Sequence, residues 1–145
     1  DAVLAGEMSG HVFFADNYFG YDDALYAAVR LVNILSESEK KLSDIIDEFP
    51  KSYNTPEIRI ECDDKEKFEI IDKVINNQKN KKYSDIDGIR VELENGWWLM
   101  RASNTQAAMV LRCEANSKKD LDEIISIVKN EIKKISPELS KQILA

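Results

Sequence analysis

The stretch Ile89-Arg90-Val91-Glu92-Leu93-Glu94-Asn95-Gly96-Trp97-Trp98-Leu99-Met100 decides the fold of this chain. Ile89, Val91 and Leu93 alternate with charged residues, which is the period-two pattern of a strand with one buried face. Asn95-Gly96 favours a type I′ turn, so the segment that follows is predicted to return as the antiparallel partner. Of the two tryptophans, one is predicted to enter the core, and the other to shield the sheet or meet a neighbouring domain.

Two more strands and two helices are predicted around this hairpin. Strand-like alternation occurs on both sides of it, at Ile58, Ile60 and Cys62, and at Met109, Leu111, Cys113 and Ala115. A helix is predicted over about 64–79, with Phe68, Ile71, Val74 and Ile75 inward, and Ser117 is predicted to cap a long final helix. The expected fold class is α+β: a four-stranded, mainly antiparallel sheet with two helices, similar to TBP-like and helix-grip-like folds.

Residues 1–50 give a different pattern. Residues 10–15 are predicted to form a short buried strand, and Asp22 or Asp23 to cap a helix whose inward positions are Leu25, Val29, Val32 and Leu35. A second helix is predicted to follow, with Ser36 and Glu39 as a capping box and Pro50 after its end. One strand and two helices are too few for a core of their own. We therefore expect domains at 1–50 and 51–145, the first being the end of an α/β domain whose beginning is missing.

Composition excludes several classes of function. The net charge is −7, so the chain lacks the positively charged surface with which proteins bind nucleic acid. No apolar run reaches the ~20 residues that a membrane-spanning helix requires. Cys62 and Cys113 fall in predicted strands and are expected to be buried, reduced thiols of a cytoplasmic protein. A single histidine and no Cys/His cluster leave no predicted metal site.

The run Arg101-Ala102-Ser103-Asn104-Thr105 carries the chemistry of a phosphate site. Arginine offers a planar fork of donors to two phosphate oxygens, and short polar side chains supply further hydrogen bonds. Arginine is also scarce, with five residues against fifteen lysines. Local chemistry alone leaves a second reading open, because polar residues between strands commonly serve only as turn formers.

Two loops together resemble signatures of the α-D-phosphohexomutases. Gly6-Glu7-Met8-Ser9-Gly10-His11 is similar to their sugar-recognition loop, and the Arg101 run to the phosphate-binding loop of their fourth domain. Other stretches also resemble family signatures, in the expected order: 19–23, 53–58, 87–91 and 110–114. Met8 and Asn104 are closer to the phosphomannomutase/phosphoglucomutase branch, since phosphoglucosamine mutases tend to carry Gln and Gly there.

The resemblance implies an isomerase that moves phosphate between O1 and O6 of a hexose through a phosphoserine and a hexose 1,6-bisphosphate, assisted by Mg²⁺. Glu7 and Ser9 would bind sugar hydroxyls, and His11 would lie near the reacting hydroxyl and help to move a proton. The phosphate that is not transferred would be bound by Arg101, Ser103, Asn104 and Thr105. No stretch resembles the phosphoserine or metal loop, so the chain is expected to be an inactive C-terminal fragment that binds neither group and needs the missing N-terminal domains.

Three alternatives remain open at this stage. The parent could be a phosphoglucosamine mutase, with the same chemistry on an amino sugar. The chain could instead be a non-enzymatic module that binds phosphorylated ligands or a partner protein. His11, Glu7 and Ser9 could be ordinary loop and strand residues. The apolar faces of the helices predicted in residues 1–50 must also be buried against other surfaces. Self-association of the fragment is one way to bury them.

Overall fold

The structure is a computed structural model that describes residues 2–7 and 9–143. Contacts between residues group the chain into two units, residues 1–50 and 51–145. None of the helices in the described part of the chain combines the length and apolar character needed to cross a membrane.

The first unit contains a hairpin of two short strands and two helices. Strands β1 (Leu4–Gly6) and β2 (Val12–Phe14) pair antiparallel, and helices α1 (Ala24–Ser36) and α2 (Leu42–Asp47) follow. β2 lies within the strand predicted over 10–15, whereas β1 was not predicted because three residues are too few to show alternation. The Asp23 carboxylate accepts a hydrogen bond from the Tyr26 N–H at 3.0 Å, so Asp23 is the cap of α1.

The predicted capping box at Ser36 and Glu39 is wrong. Ser36 is the last residue of α1, and its hydroxyl donates to the Asn33 carbonyl at 2.8 Å within the same helix. The second helix begins only at Leu42, where the Asp44 carboxylate accepts from the Lys41 N–H at 3.4 Å. A serine near the end of a helix can bond back to its own last turn, and this competes with its capping of a following helix.

The apolar stripe predicted for α1 is exposed in this structure. Leu25, Val29 and Val32 expose 81%, 56% and 62% of their surface, and no described residue of the first unit is buried. This unit therefore presents an apolar helix face to solvent, whereas the second unit contains the buried core.

The second unit is a six-stranded antiparallel sheet with helices. Its elements are β3 (Tyr53–Asn54), β4 (Ile58–Glu61), α3 (Glu66–Asn77), β5 (Tyr83–Ser84), β6 (Ile89–Leu93), β7 (Gly96–Ala102), β8 (Ala108–Ala115), α4 (Lys118–Ile135) and α5 (Pro137–Ser140). The order is β5-β6-β7-β8, and β4 and β3 pair with successive parts of β8. The α+β class is confirmed. The four predicted strands are β4, β6, β7 and β8, while the two-residue strands β3 and β5 and the short α5 were not predicted.

The central hairpin forms with a different turn from the predicted one. Leu93 pairs with Gly96, so the turn residues are Glu94 and Asn95, and neither has a positive φ. Gly96 belongs to β7, where a Cβ would lie 2.1 Å from the Glu114 carbonyl oxygen and 2.9 Å from Ile124 Cδ1. The glycine is therefore required by the close approach of its neighbours, and not by a type I′ turn.

The core lies between the sheet and helices α3 and α4. Trp98 is fully buried in this core. Trp97 lies on the other face of the sheet, where the Arg90 guanidinium carbon is 4.6 Å from the centroid of its ring. On α3 the predicted inward position of Phe68 is wrong, because this ring is 53% exposed. Its neighbour Lys67 is 3% exposed and faces inward with Ile70, so the buried face of the helix is rotated by about one residue.

Candidate functional site

The loop between β1 and β2 brings Glu7 and Ser9 together. The Glu7 N–H donates to the His11 carbonyl at 2.9 Å, and the Gly10 N–H donates to the Glu7 carbonyl at 3.0 Å. These bonds close a tight turn in which the Ser9 hydroxyl donates to Glu7 Oε2 at 3.0 Å. Both side chains are exposed, and Met8, which pointed to one branch of the family, lies outside the described residues. The turn thus presents a carboxylate and a hydroxyl side by side, a pair that suits sugar hydroxyls.

His11 is held by a partner that the sequence did not suggest. Its Nδ1 lies 2.5 Å from Asp22 Oδ2, and an isolated antiparallel bridge between Phe13 and Asp22 brings the two residues alongside. The hydrogen bond to the carboxylate raises the pKa of His11 above its ordinary value. Because Nδ1 is occupied, Nε2 is the ring nitrogen left to exchange a proton with a ligand.

Arg101 occupies the end of a strand rather than a loop. It pairs with Val110 across β7 and β8, and the connection between these strands spans 103–107. Its side chain is 37% exposed, and Nη1 lies 3.8 Å from the exposed Asp87 carboxylate. Ion pairs at the surface contribute only about 0–1 kcal/mol, so this contact leaves the guanidinium available to an anion.

Gly88 determines where the backbone of Arg101 can lie. It has a φ of +72°, and a Cβ there would lie 2.6 Å from the Arg101 Cα and 2.2 Å from the Met100 carbonyl oxygen. Such distances exclude any side chain. Asp87-Gly88 begins the family-like stretch 87–91, but the close packing of this glycine against Arg101 is visible only in the structure.

Ser103 organises the turn that follows Arg101. Its hydroxyl oxygen accepts from the N–H groups of Thr105 at 3.4 Å and Gln106 at 3.2 Å, and its own N–H donates to Ala108 at 2.9 Å. The acceptor role in these bonds leaves the hydroxyl proton free to be donated to an anion. Asn104 and Thr105 are exposed at the tip of the turn. Arg101, Ser103, Asn104 and Thr105 are thus brought together at one end of the sheet.

Lys67 is a residue of this region that sequence reasoning missed. Its ammonium group donates to the carbonyl oxygens of Ser103 at 2.6 Å and Gln106 at 3.1 Å, and to the Asp64 carboxylate at 2.6 Å. In the sequence, Lys67 lies beside the apolar stripe of a predicted helix. A lysine in such a place is usually exposed, so this position did not indicate a buried role.

The predicted site residues therefore form two sets. Glu7, Ser9 and His11 belong to the first unit, and the Arg101 set belongs to the second; the structure brings each set together within its own unit. Among residues 2–7 and 9–143, no group of three or more His, Cys, Asp or Glu side chains is placed to share a metal ion. The chemistry offered by the described residues is hydrogen bonding to hydroxyls in one unit and to an anion in the other.

Comparisons with known proteins match both units. The family model described as "Phosphoglucomutase/phosphomannomutase, alpha/beta/alpha domain III" matches residues 1–53, and "Phosphoglucomutase/phosphomannomutase, C-terminal domain" matches residues 57–131. The curated "Phosphomannomutase/phosphoglucomutase" of Pseudomonas syringae pv. tomato is 44% identical over 140 residues, which are 95% of this chain and 30% of the relative.

Two further relatives extend this comparison. The "Probable phosphoglucosamine mutase" of Methanosarcina acetivorans is 40% identical over 133 residues, 91% of this chain and 29% of that protein. A crystal structure of a phosphoglucomutase/phosphomannomutase family protein from Burkholderia thailandensis superposes with a TM-score of 0.83 at 38% identity, covering 94% of this chain and 29% of that one. The chain thus spans about 30% of the length of the curated relatives it matches. Since models of two successive domains match it, one over more than half of its length, the chain belongs to the phosphoglucomutase/phosphomannomutase family.

Proposed function

We propose that this chain is the substrate-binding C-terminal portion of a phosphomannomutase/phosphoglucomutase. The activity is the interconversion of hexose 1-phosphate and hexose 6-phosphate through a phosphoserine and a bisphosphorylated sugar. The observation that carries the proposal is the grouping of Arg101, Ser103, Asn104 and Thr105 at one end of β7, with an available guanidinium and a free hydroxyl proton. The names of the relatives support the same reaction class, an isomerase acting by phosphate transfer.

The turn at the end of β7 is proposed to bind the phosphate that is not transferred. The Arg101 guanidinium can donate two parallel hydrogen bonds to phosphate oxygens, and Ser103, Asn104 and Thr105 can donate to the remaining ones. Fixing this phosphate would orient the far end of the sugar for reaction. Either phosphate of the hexose 1,6-bisphosphate intermediate could bind in the same way, so one turn would serve both half-reactions.

The loop between β1 and β2 is proposed to bind the sugar. The Glu7 carboxylate would accept hydrogen bonds from two adjacent hydroxyls, and Ser9, which already contacts Glu7, would contribute a third polar group. His11 would exchange a proton with the reacting hydroxyl through Nε2, while Asp22 holds the ring. The hydrogen bond to Asp22 raises the pKa of His11 and so favours the protonated ring, the form that can donate a proton.

The phosphoserine and the Mg²⁺ ion that assists it are proposed to belong to other parts of the protein. The chain matches about 30% of the relatives' length, and no stretch of it resembles the family's serine or metal loop. We therefore expect the chain alone to bind substrate without turning it over. The exposed apolar face of α1, with Leu25, Val29 and Val32, is proposed to be covered by those other domains or, in the isolated chain, by a second copy.

A phosphoglucosamine mutase is the second candidate, favoured by the relative from Methanosarcina acetivorans. Met8 and Asn104 favour the phosphomannomutase/phosphoglucomutase branch instead. A non-enzymatic module that binds a phosphorylated ligand would use the same turn but would need no further domains.

For any of these functions we propose a cytoplasmic location, which fits two free cysteines, one of them buried.

A chimeric enzyme tests the proposed function. Residues 1–145 replace the aligned segment of the Pseudomonas syringae relative, and turnover of mannose, glucose and glucosamine phosphates is compared with that of the intact relative and of the isolated chain. We expect the chimera to convert mannose and glucose phosphates and the isolated chain to convert none. A folded but inactive chimera would contradict the proposal, preference for glucosamine phosphate would favour the second candidate, and turnover by the isolated chain would show that it holds transfer machinery.

A further inference from the structure

We propose that Lys67 is a positioning residue for the phosphate-binding turn of residues 103–106, an inference that rests on the proposed function. The residue is 3% exposed and lies on α3 among side chains that are otherwise apolar, including Ile70, Ile71 and Val74. Burial of an ammonium group is costly unless every donor finds an acceptor. A lysine at this position therefore requires a specific set of oxygens, and the structure supplies them.

The ammonium group of Lys67 has three donors and three acceptors. Ser103 O and Asp64 Oδ1 lie at 2.6 Å from Nζ, and Gln106 O lies at 3.1 Å. Two of these three acceptors are main-chain carbonyls of one turn, and they bracket Asn104 and Thr105. Lys67 thus fixes both ends of the segment that carries the exposed polar groups, from a helix more than thirty residues earlier in the chain.

Hydrogen bonds hold four carbonyl oxygens in and next to the turn against protein donors. Besides the two that face Lys67, the Ala107 carbonyl accepts from the Cys62 N–H at 3.1 Å and the Ala108 carbonyl from the Ser103 N–H at 2.9 Å. A carbonyl dipole aimed at a bound anion would repel it. These four carbonyl oxygens are bonded to protein donors, so their dipoles are not aimed at an anion bound beside Asn104 and Thr105.

The Asp64 carboxylate balances the charge of Lys67, so Lys67 acts on the turn mainly through its two hydrogen bonds to carbonyl oxygens. The chain has a net charge of −7, so an anionic ligand is repelled at long range and must be attracted by local charges. The Lys67 ammonium lies in contact with the inner side of the turn, while Arg101 lies at its start. Only one of the two charges is exposed enough to bind the ligand directly, and the buried one supports the turn from behind.

The test is a binding titration of the ¹⁵N-labelled chain with inorganic phosphate and with glucose 6-phosphate, followed by the amide resonances of 103–106. The variants are Lys67→Met, which removes charge and donors, Lys67→Arg, which keeps both, and Lys73→Met, an exposed lysine of the same helix. We expect Lys67→Met to weaken binding at least ~10-fold, the scale of one charge-assisted hydrogen bond. Lys67→Arg should recover most of that loss, and Lys73→Met should bind as the wild type does.

A second readout uses the wild type and does not depend on whether Lys67→Met folds. The buried ammonium of Lys67 should give its own ¹⁵Nζ resonance, which we expect to shift together with the turn amides as phosphate is added. Wild-type affinity in a folded Lys67→Met chain, or a Lys67 resonance that ignores saturating phosphate, would overturn the inference while leaving the proposed function in place. If the turn amides of the wild type respond to neither probe, the proposed phosphate site itself is wrong.

Discussion

At the scale of single residues, Gly88 and Lys67 hold the backbone that carries the proposed phosphate-binding groups. Because Gly88 has no Cβ, the backbone of Arg101 can pack closely against it; a Cβ on residue 88 would lie 2.6 Å from the Arg101 Cα. Lys67 fixes the carbonyl oxygens of Ser103 and Gln106. The arginine and the polar turn could be proposed as a phosphate site from sequence because their side chains carry the chemistry. Their two supports could not, because their roles depend on contacts between residues far apart in the chain.

Gly88→Ala should destabilise the second unit and weaken phosphate binding. The positive φ alone costs roughly 1–2 kcal/mol for a residue with a Cβ, and the overlap with Met100 and Arg101 adds to that cost. Urea unfolding followed by the fluorescence of Trp97 and Trp98, which both belong to the second unit, measures this loss. A Gly88→Ala chain as stable as the wild type would show that the close contact at Gly88 carries no energetic weight.

The pKa of His11 should lie above its ordinary value of about 6.5 in the folded chain. The cause is the hydrogen bond to the Asp22 carboxylate, which stabilises the protonated ring. Any stability from this pair is present below the unfolded pKa and is lost as pH rises through the raised folded value. An NMR titration of the ring protons checks this. Asp22→Asn should move the midpoint down, and an unchanged midpoint would mean that Asp22 does not hold the ring.

At the scale of elements, the four longer strands of the sheet were predictable, whereas the two-residue strands β3 and β5 and the phase of α3 were not. Alternation at β4, β6 and β8 marks a buried face, because side chains of a strand point to opposite sides. On α3, Phe68 and Lys67 are neighbours, and a prediction from hydrophobicity alone places the phenyl ring in the core and the lysine in solvent. The structure shows the opposite, because three oxygens accept hydrogen bonds from the buried lysine ammonium. Two of these oxygens belong to the turn between β7 and β8, which forms only when the sheet forms. The same reasoning explains why β1, β3 and β5 were missed, since two or three residues show no periodicity.

The two cysteines should differ in reactivity because their elements bury them differently. Cys113 lies in the middle of the sheet on β8, and burial raises the pKa of its thiol to about 12. Cys62, just after β4, is only half-buried, and burial also raises the pKa of its thiol. With Ellman's reagent at pH 8, a Cys62→Ser chain should therefore show almost no reaction until urea unfolds it. Rapid modification of Cys113 in the native chain would contradict its placement in the core.

At the scale of the whole molecule, an acidic chain is proposed to bind an anion. Acidic residues outnumber basic ones by 27 to 20, so the long-range field does not attract phosphate. Affinity must then come from a few donors held in place by the fold. Arg101 is central among these because it is the one charged side chain of the proposed set in the second unit, and its position depends on β6, β7 and β8 together.

Binding of glucose 6-phosphate to wild-type and Arg101→Ala chains tests most directly whether the end of β7 is a phosphate site. Isothermal titration should show that the substitution weakens binding by ~1.5–3 kcal/mol, the contribution of hydrogen bonds to a charged group. Arg90→Ala is the control, because Arg90 lies on the same sheet and already pairs with Glu92. Glucose without its phosphate should bind both chains equally weakly. Equal affinities of the wild-type and Arg101→Ala chains for the phosphorylated sugar would contradict the proposed role of this end of the sheet.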